Sequence, residues 1–116
     1  MIRIIGLAQR ARKTTIGAEL TVKGVRFNRV KLVLLAKDAS NNTKKQIYDK
    51  CQTYKVDVLE TFLSEEISNA VGKKNIKVLG ITDEGFSKLL LSQKKEVNSY
   101  GQKTSEESDK KTTTTT

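Results

Sequence analysis

The chain has 116 residues, and its 22 Lys and Arg against 13 Asp and Glu give a formal charge of +9. This length suits one domain, and the excess of positive charge indicates a polyanionic partner. The sequence has no His and one Cys, which excludes histidine relays, histidine general bases, imidazole zinc sites, multi-cysteine metal cages and an internal disulfide. A lone thiol is typical of a cytoplasmic protein.

Helix-like and strand-like segments alternate along the chain. Apolar residues recur at helical spacing in some segments and form short β-branched or apolar runs in others. The predicted elements, in chain order, are helix 2–12, strand 14–16, helix 17–27, strand 32–36, a helix ending near 54, strand 56–59, helix 64–72, strand 76–81 and a helix beginning near 83. This alternation predicts a layered α/β fold with helices on both sides of a small sheet.

Turn and capping residues mark the ends of these elements. Residues 38–43 are of the types that form turns and helix caps, and they precede the third helix. Ser64 is predicted to cap the fourth helix, and Gly72 is predicted to end it. Thr82 or Asp83 is predicted to cap the fifth helix. The apolar residues predicted to share helix faces, mostly as core, are Leu20, Gly24, Phe27, Ile47, Cys51, Tyr54, Ile67, Ala70, Val71, Phe86, Leu89 and Leu90.

Apolar periodicity stops after Leu91, and the remaining residues are mostly Lys, Glu, Ser, Gln and Thr, ending in Thr112–Thr116. Such a segment buries too little apolar surface to offset its chain entropy. We therefore predict an α/β domain over residues 1–92 and a disordered polar tail over residues 93–116. The longest apolar run, Leu32–Ala36, is far too short to span a membrane.

Most of the positive charge lies in the first third of the chain. Arg12 and Lys13 precede the strand that leads to Gly17, and Lys23 and Arg26 lie on the helix that Gly17 opens. A glycine at a helix N-terminus lets a phosphate approach the free backbone N–H groups. The alternative is that these cations only form a solvated face.

A second basic cluster, Lys73-Lys74-Asn75, follows Gly72 at another helix-to-strand turn. Two such turns at one end of a small α/β layer would bind a bent or looped RNA. Asp38 follows the buried strand, where α/β folds often place ligands; a turn or cap role is the alternative.

Two segments carry a family resemblance: IGLAQRARKTTIGAELTVKGV and KLVLLAKDASNNTKKQIYDKC. They resemble the bacterial YlxQ-type branch of the kink-turn RNA-binding ribosomal protein superfamily, and the match extends from about Ile4 to Leu90. The resemblance implies a three-layer α/β/α sandwich with a small four-stranded mixed sheet. It also implies RNA binding without catalysis or a cofactor, linked to the ribosome or to other ribonucleoproteins.

The superfamily's RNA contacts are only partly present in this sequence. The resemblance implies contacts from Gly17 and Lys23, but Glu19 and Leu20 stand where kink-turn binders carry an amide and then an acidic or amide residue. The polar Lys73–Asn75 loop replaces apolar residues that pack on a base. We therefore expect a structured RNA other than a standard kink-turn.

The predicted RNA-binding residues are Arg12, Lys13, Gly17, Ala18, Glu19, Lys23, Arg26, Asp38, Lys73, Lys74 and Asn75. We expect a monomer. A second hypothesis is an interaction module whose basic face docks an acidic protein or a ribosomal surface. Catalysis is disfavoured, because the carboxylates Glu65, Glu66, Asp83 and Glu84 lie at helix starts, where capping explains them.

Overall fold

Five helices alternate with four strands within residues 2–98, the part of the chain that the computed structural model describes. In chain order they are α1 (Ile2–Arg10), β1 (Thr14–Ile16), α2 (Ala18–Arg26), β2 (Leu32–Leu35), α3 (Asn41–Tyr54), β3 (Asp57–Leu59), α4 (Ser64–Val71), β4 (Val78–Ile81) and α5 (Glu84–Asn98). The predicted elements are therefore all present.

The four strands form one mixed sheet in the order β1-β4-β2-β3. Strand β4 is antiparallel to both β1 and β2, whereas β2 and β3 are parallel. Helix α2 packs on α3, β1 and β4, while α1 packs on α4 and α5, and α5 on β4. The three-layer α/β/α sandwich with a mixed sheet is confirmed.

The centre of the sheet is apolar on both faces. Every residue of β2 and β4 is buried, as the continuous apolar run of β2 predicts for a strand covered by helices on both sides. The outer strand β1 differs, because its three residues are only half-buried and its far edge has no partner strand within residues 2–98.

Helix α2 approaches the sheet closely because small residues face each other. A Cβ added to Gly80 in β4 would overlap Thr15 Oγ1 and lie 3.0 Å from Val30 Cγ2, and one added to Gly24 would lie 2.5 Å from Val30 Cγ2. The buried Thr21 side chain bonds Thr15 Oγ1 at 2.9 Å. These contacts fix α2 over the β1 side of the sheet.

The capping predictions have mixed outcomes. The Asp83 carboxylate accepts from Phe86 N at 2.9 Å, and Gly72 ends α4 at a left-handed φ of 71°, as expected. Ser64 is not the cap of α4. Instead, Glu66 reaches back to accept from Leu63 N at 2.8 Å, and the Ser64 hydroxyl is engaged with Asp38.

Four apolar residues predicted to lie on helix core faces are exposed: Leu20 (56%), Phe27 (61%), Tyr54 (44%) and Leu89 (48%). For α2 the reason is the sheet order. Small residues, Thr21 and Gly24, turn toward the sheet, and β1 is too short and too near the edge to cover the flanking side chains. Cys51, in contrast, is buried as predicted.

Two helix boundaries differ from the sequence predictions. Helix α1 ends at Arg10 rather than at residue 12, because Arg12 adopts a left-handed φ of 60° that no helix continues. Helix α5 extends to Asn98, so it continues past the predicted domain end at residue 92. The rest of the predicted tail lies outside the described residues.

Candidate nucleic-acid interface

The two glycine-marked turns lie at the same edge of the sheet. Strand β1 is antiparallel to β4, so β1 ends where β4 begins, and Gly17 N donates to Val78 O at 2.9 Å. The loop that begins at Gly72 leads directly into Val78. The sheet topology therefore brings together two turns that are distant in sequence.

Gly17 opens α2 in a backbone conformation that needs a glycine. Its φ of 95° and ψ of 159° lie in a region that other residues essentially never adopt. A Cβ there would meet nothing within 4 Å, so the requirement is backbone conformation and not space. Because Gly17 carries no side chain to cap α2, the N–H groups of its first turn are available to an anion.

The loop between α4 and β4 is held in shape from beneath by a buried serine. Ser68 Oγ accepts from Ile76 N at 2.8 Å, and Ser68 O accepts from Lys73 N at 2.9 Å. Asn75 has a left-handed φ of 57°. These constraints leave Lys73, Lys74 and Asn75 exposed on a short ordered loop.

Four predicted site residues line one concavity of about 540 Å³ along α2, namely Ala18, Glu19, Lys23 and Arg26. The structure adds three lining residues: Val22 and Gln46, which the sequence analysis did not name, and Phe27, which it placed on an apolar helix face and not in the site. Gln46 comes from α3, a contribution that depends on α2 and α3 packing together.

The cations of this interface make no ion pair among the described side chains. Within residues 2–93 the ion pairs are Lys44 with Glu60 at 2.9 Å and Lys77 with Asp38 at 3.5 Å. Neither pair involves Lys23 or Arg26, nor the two lysines after Gly72. We call Gly17–Glu19, Lys23, Arg26 and Lys73–Asn75 the basic edge.

Asp38 lies at the end of β2, and its carboxylate is occupied within the fold. Oδ1 accepts from Ser64 N at 2.8 Å and Oδ2 from Ser64 Oγ at 2.6 Å, while Lys77 Nζ lies 3.5 Å from Oδ2. The hydrogen bonds from the Ser64 hydroxyl and N–H lower the pKa of Asp38 from 3.8 to about 2. Asp38 therefore positions the start of α4, and its turn or cap role is the better interpretation.

We expect Asp38→Asn to lower the free energy of unfolding near neutral pH. The folded-state pKa of Asp38, about 2, lies below its ordinary value of 3.8, so its stabilisation is complete above pH 4 and is lost as the pH falls toward 2. Urea unfolding of both proteins across this range measures the effect. A stability difference that stays constant down to the lowest pH contradicts the assignment.

Arg12 and Lys13 lie at the opposite edge of the sheet from Gly17. Lys13 O accepts from Thr82 N, at the end of β4, and four residues of extended chain place Lys13 roughly 13 Å from Gly17. Neither residue lines the concavity along α2 that contains Lys23 and Arg26.

A separate polar group lies between α3 and the strand that follows it. Glu60 accepts from Tyr48 Oη at 2.6 Å and pairs with Lys44, and the hydrogen bond from Tyr48 lowers the pKa of Glu60. Burial, followed by this hydrogen bond, raises the pKa of Tyr48 to about 12. Burial also raises the pKa of Cys51 to about 11, so both groups are structural and neutral.

The described part of the chain contains neither a membrane-spanning helix nor a candidate metal cluster. No helix within residues 2–98 combines the length and apolar character needed to cross a bilayer. In the same part of the chain, no three side chains of metal-ligating type lie together.

The α/β/α fold described above is that of a known protein family. Residues 3–91 match the Ribosomal protein L7Ae/L30e/S12e/Gadd45 family, and the chain belongs to this family. Within it, the chain is YlxQ-like. It is 43% identical over 89 residues to the RNA-binding protein YlxQ of Bacillus subtilis, a match that covers 77% of this chain and 89% of that protein.

A second relative is the RNA-binding protein YlxQ of Enterococcus faecium, 46% identical over 87 residues, covering 75% of this chain and 84% of the relative. Among solved structures, a protein of unknown function from Bacillus halodurans superposes with a TM-score of 0.76 at 38% identity, covering 78% of this chain and 92% of that one. The Giardia lamblia 15.5kD RNA binding protein shares the fold alone, with a TM-score of 0.69 at 16% identity and 83% and 84% coverage.

Proposed function

We propose that this protein binds structured RNA, in a ribosome-linked role, through the basic edge. The observation that carries the proposal is that the turns at Gly17 and Gly72 lie at one edge of the sheet, next to the concavity lined by Lys23 and Arg26. Two relatives bear the name RNA-binding protein, which supports the same assignment.

The chemistry of the basic edge suits a folded polyanion. The first-turn N–H groups after Gly17 can donate to one phosphate, while Lys73 and Lys74 lie on the neighbouring loop. A bent or looped RNA presents phosphates from two directions, which matches two adjacent turns better than one straight duplex does. Phosphate contacts of this kind supply most of the affinity of RNA-binding proteins.

The target that we propose is a structured RNA other than a standard kink-turn. Glu19 can accept a hydrogen bond from a guanine or cytosine amino group but cannot donate one. Leu20 can do neither, and it is exposed beside Gly17 and not in the core. The loop at Lys73–Asn75 offers charge where an apolar contact with a base would need hydrophobic side chains.

A gel-shift series tests both parts of this proposal. We expect salt-dependent binding to folded RNAs from the cell, recovered by crosslinking and sequencing, with a log–log salt slope of about 0.7–0.9 per phosphate contacted. A kink-turn with normal G·A pairs and its version with those pairs destroyed should bind similarly and more weakly than the recovered RNAs.

Two results would count against the proposal. Nanomolar binding that depends on intact G·A pairs contradicts the choice of target but not RNA binding itself. Failure to bind any folded RNA, together with a partner that still co-purifies after nuclease treatment, contradicts RNA binding and favours docking to a protein. The proposed role is RNA binding without catalysis, which the family and the name of the Bacillus subtilis relative support.

A further inference from the structure

Two large apolar side chains at α2 are more than half exposed among the described residues. Leu20 and Phe27 are 56% and 61% exposed, and seven residues, or about two helical turns, separate them on one side of the helix. Exposed apolar side chains that share one side of a helix are a feature of contact surfaces. Their position is therefore the strongest indication of an additional contact surface.

Both side chains line a concavity of about 420 Å³ on the β1 side of α2. Lys23, Gly24, Arg29 and Thr15 complete its lining. We call this concavity the α2 groove. It lies beside β1, the outer strand, whose far edge is open within the described residues.

The α2 groove and the concavity of the basic edge share a common wall. Lys23 and Phe27, one helical turn apart, line both of them. An RNA strand that contacts Lys23 from the basic edge can therefore cross this wall and continue along α2 toward Arg29. This continuity is the reason to assign the groove to the same ligand.

We propose that the α2 groove binds an unpaired nucleotide of single-stranded RNA adjoining the folded element held by the basic edge. The base packs between Leu20 and Phe27, and Lys23 and Arg29 contact the flanking phosphates. This inference rests on the proposed function, because it extends the RNA path from the basic edge.

The residue types favour a single strand over other occupants. An aromatic ring beside cations is the combination that binds single-stranded nucleic acid, because every unpaired base has a face that can stack. A base-paired nucleotide hides that face within its helix. Lys23 and Arg29 make no ion pair within residues 2–93, so their charges remain available to phosphate.

The test compares two RNAs that share one folded core, with the second carrying a short unpaired extension. The wild-type protein should bind the extended RNA at least about fivefold more tightly, the equivalent of one stacked base. Phe27→Ala should abolish this gain, and Phe27→Tyr should retain it. Leu20→Ala, whose side chain lines the α2 groove but not the basic-edge concavity, should reduce the gain while leaving the affinity for the core alone unchanged. Arg29→Ala should reduce the gain and its salt dependence.

Tyr54→Ala is the matched control, because Tyr54 is an exposed aromatic residue at the end of a different helix. It should keep the full gain. Lys73→Ala/Lys74→Ala should lower the affinity for both RNAs equally and leave the gain from the extension intact. This result would distinguish the contribution of the groove from that of the basic edge.

Three outcomes would overturn the inference. The first is an extension that adds no affinity to the wild-type protein while the core still binds, which leaves the proposed function standing. The second is an equal loss of affinity for both RNAs in Leu20→Ala. The third is a concentration-dependent dimer in sedimentation that Phe27→Ala dissociates, since the groove would then bind a second copy of this chain. If the wild-type protein binds neither RNA, the proposed function is contradicted as well.

Discussion

The double variant Lys23→Ala/Arg26→Ala is expected to bind folded RNA more weakly by roughly 1–3 kcal/mol, or about 5- to 150-fold, if the two side chains reach bases. Both line the concavity along α2 beside Glu19, and neither makes an ion pair within residues 2–93. If they contact only phosphates, the loss is smaller and the log–log salt slope falls by about 0.7–0.9 for each side chain. Titrations at several salt concentrations distinguish the two cases.

A matched control for this variant removes the same number of charges elsewhere. Lys45→Ala/Lys88→Ala takes one exposed lysine from α3 and one from α5, and neither side chain lines the concavity that contains Lys23 and Arg26. The control should shift the affinity only through the small change in net charge. Unchanged RNA affinity in Lys23→Ala/Arg26→Ala, or an equal loss in the control, removes these residues from the interface.

Gly80→Ala is expected to destabilise the fold by about 1–3 kcal/mol, the usual effect of overfilling a packed core. The added methyl group would overlap Thr15 Oγ1 and press on Val30 and Thr21. These neighbours cannot move freely, since Thr15 and Gly80 are paired across the strands and the Thr21 hydroxyl bonds to Thr15. Urea denaturation should show a lower midpoint with an unchanged m-value.

Gly6→Ala is the control for this substitution, because it adds the same methyl group to the same kind of residue in α1. A Cβ there lies 3.5 Å from Ala70 O, an ordinary contact. The change should be neutral or stabilising by up to about 1 kcal/mol, since alanine favours a helix over glycine. If Gly80→Ala is equally harmless, α2 does not rest on the sheet as closely as the structure indicates.

Local patterns predicted the elements well because their causes are local. The apolar run Leu32–Leu35 is typical of a buried strand, and Gly17 and Gly72 mark turns through their backbone freedom. The resemblance to the kink-turn RNA-binding superfamily added the prediction that these elements form three layers. Helix ends were less accurate, since the sequence does not show that Arg12 leaves the helix in a left-handed conformation.

Burial on α2 could not be predicted from its periodicity. Leu20 and Phe27 have the spacing of a core face, yet the small residues Thr21 and Gly24 face the sheet instead. Which side of a helix is covered depends on the width of the sheet beneath it, and β1 is both short and outermost. The same exposure creates the α2 groove, which the sequence interpretation did not anticipate.

The sequence by itself determined the succession of helices and strands, the concentration of positive charge and the two glycine-marked turns, because each depends on neighbouring residues. The tertiary structure decided which of these meet. Pairing of β1 with β4 places Gly17 against Val78 and leaves Lys13 at the other edge, while Asp38 bonds to Ser64, 26 residues away. Strand order and such distant pairings arise from packing of the whole chain, which no local pattern specifies.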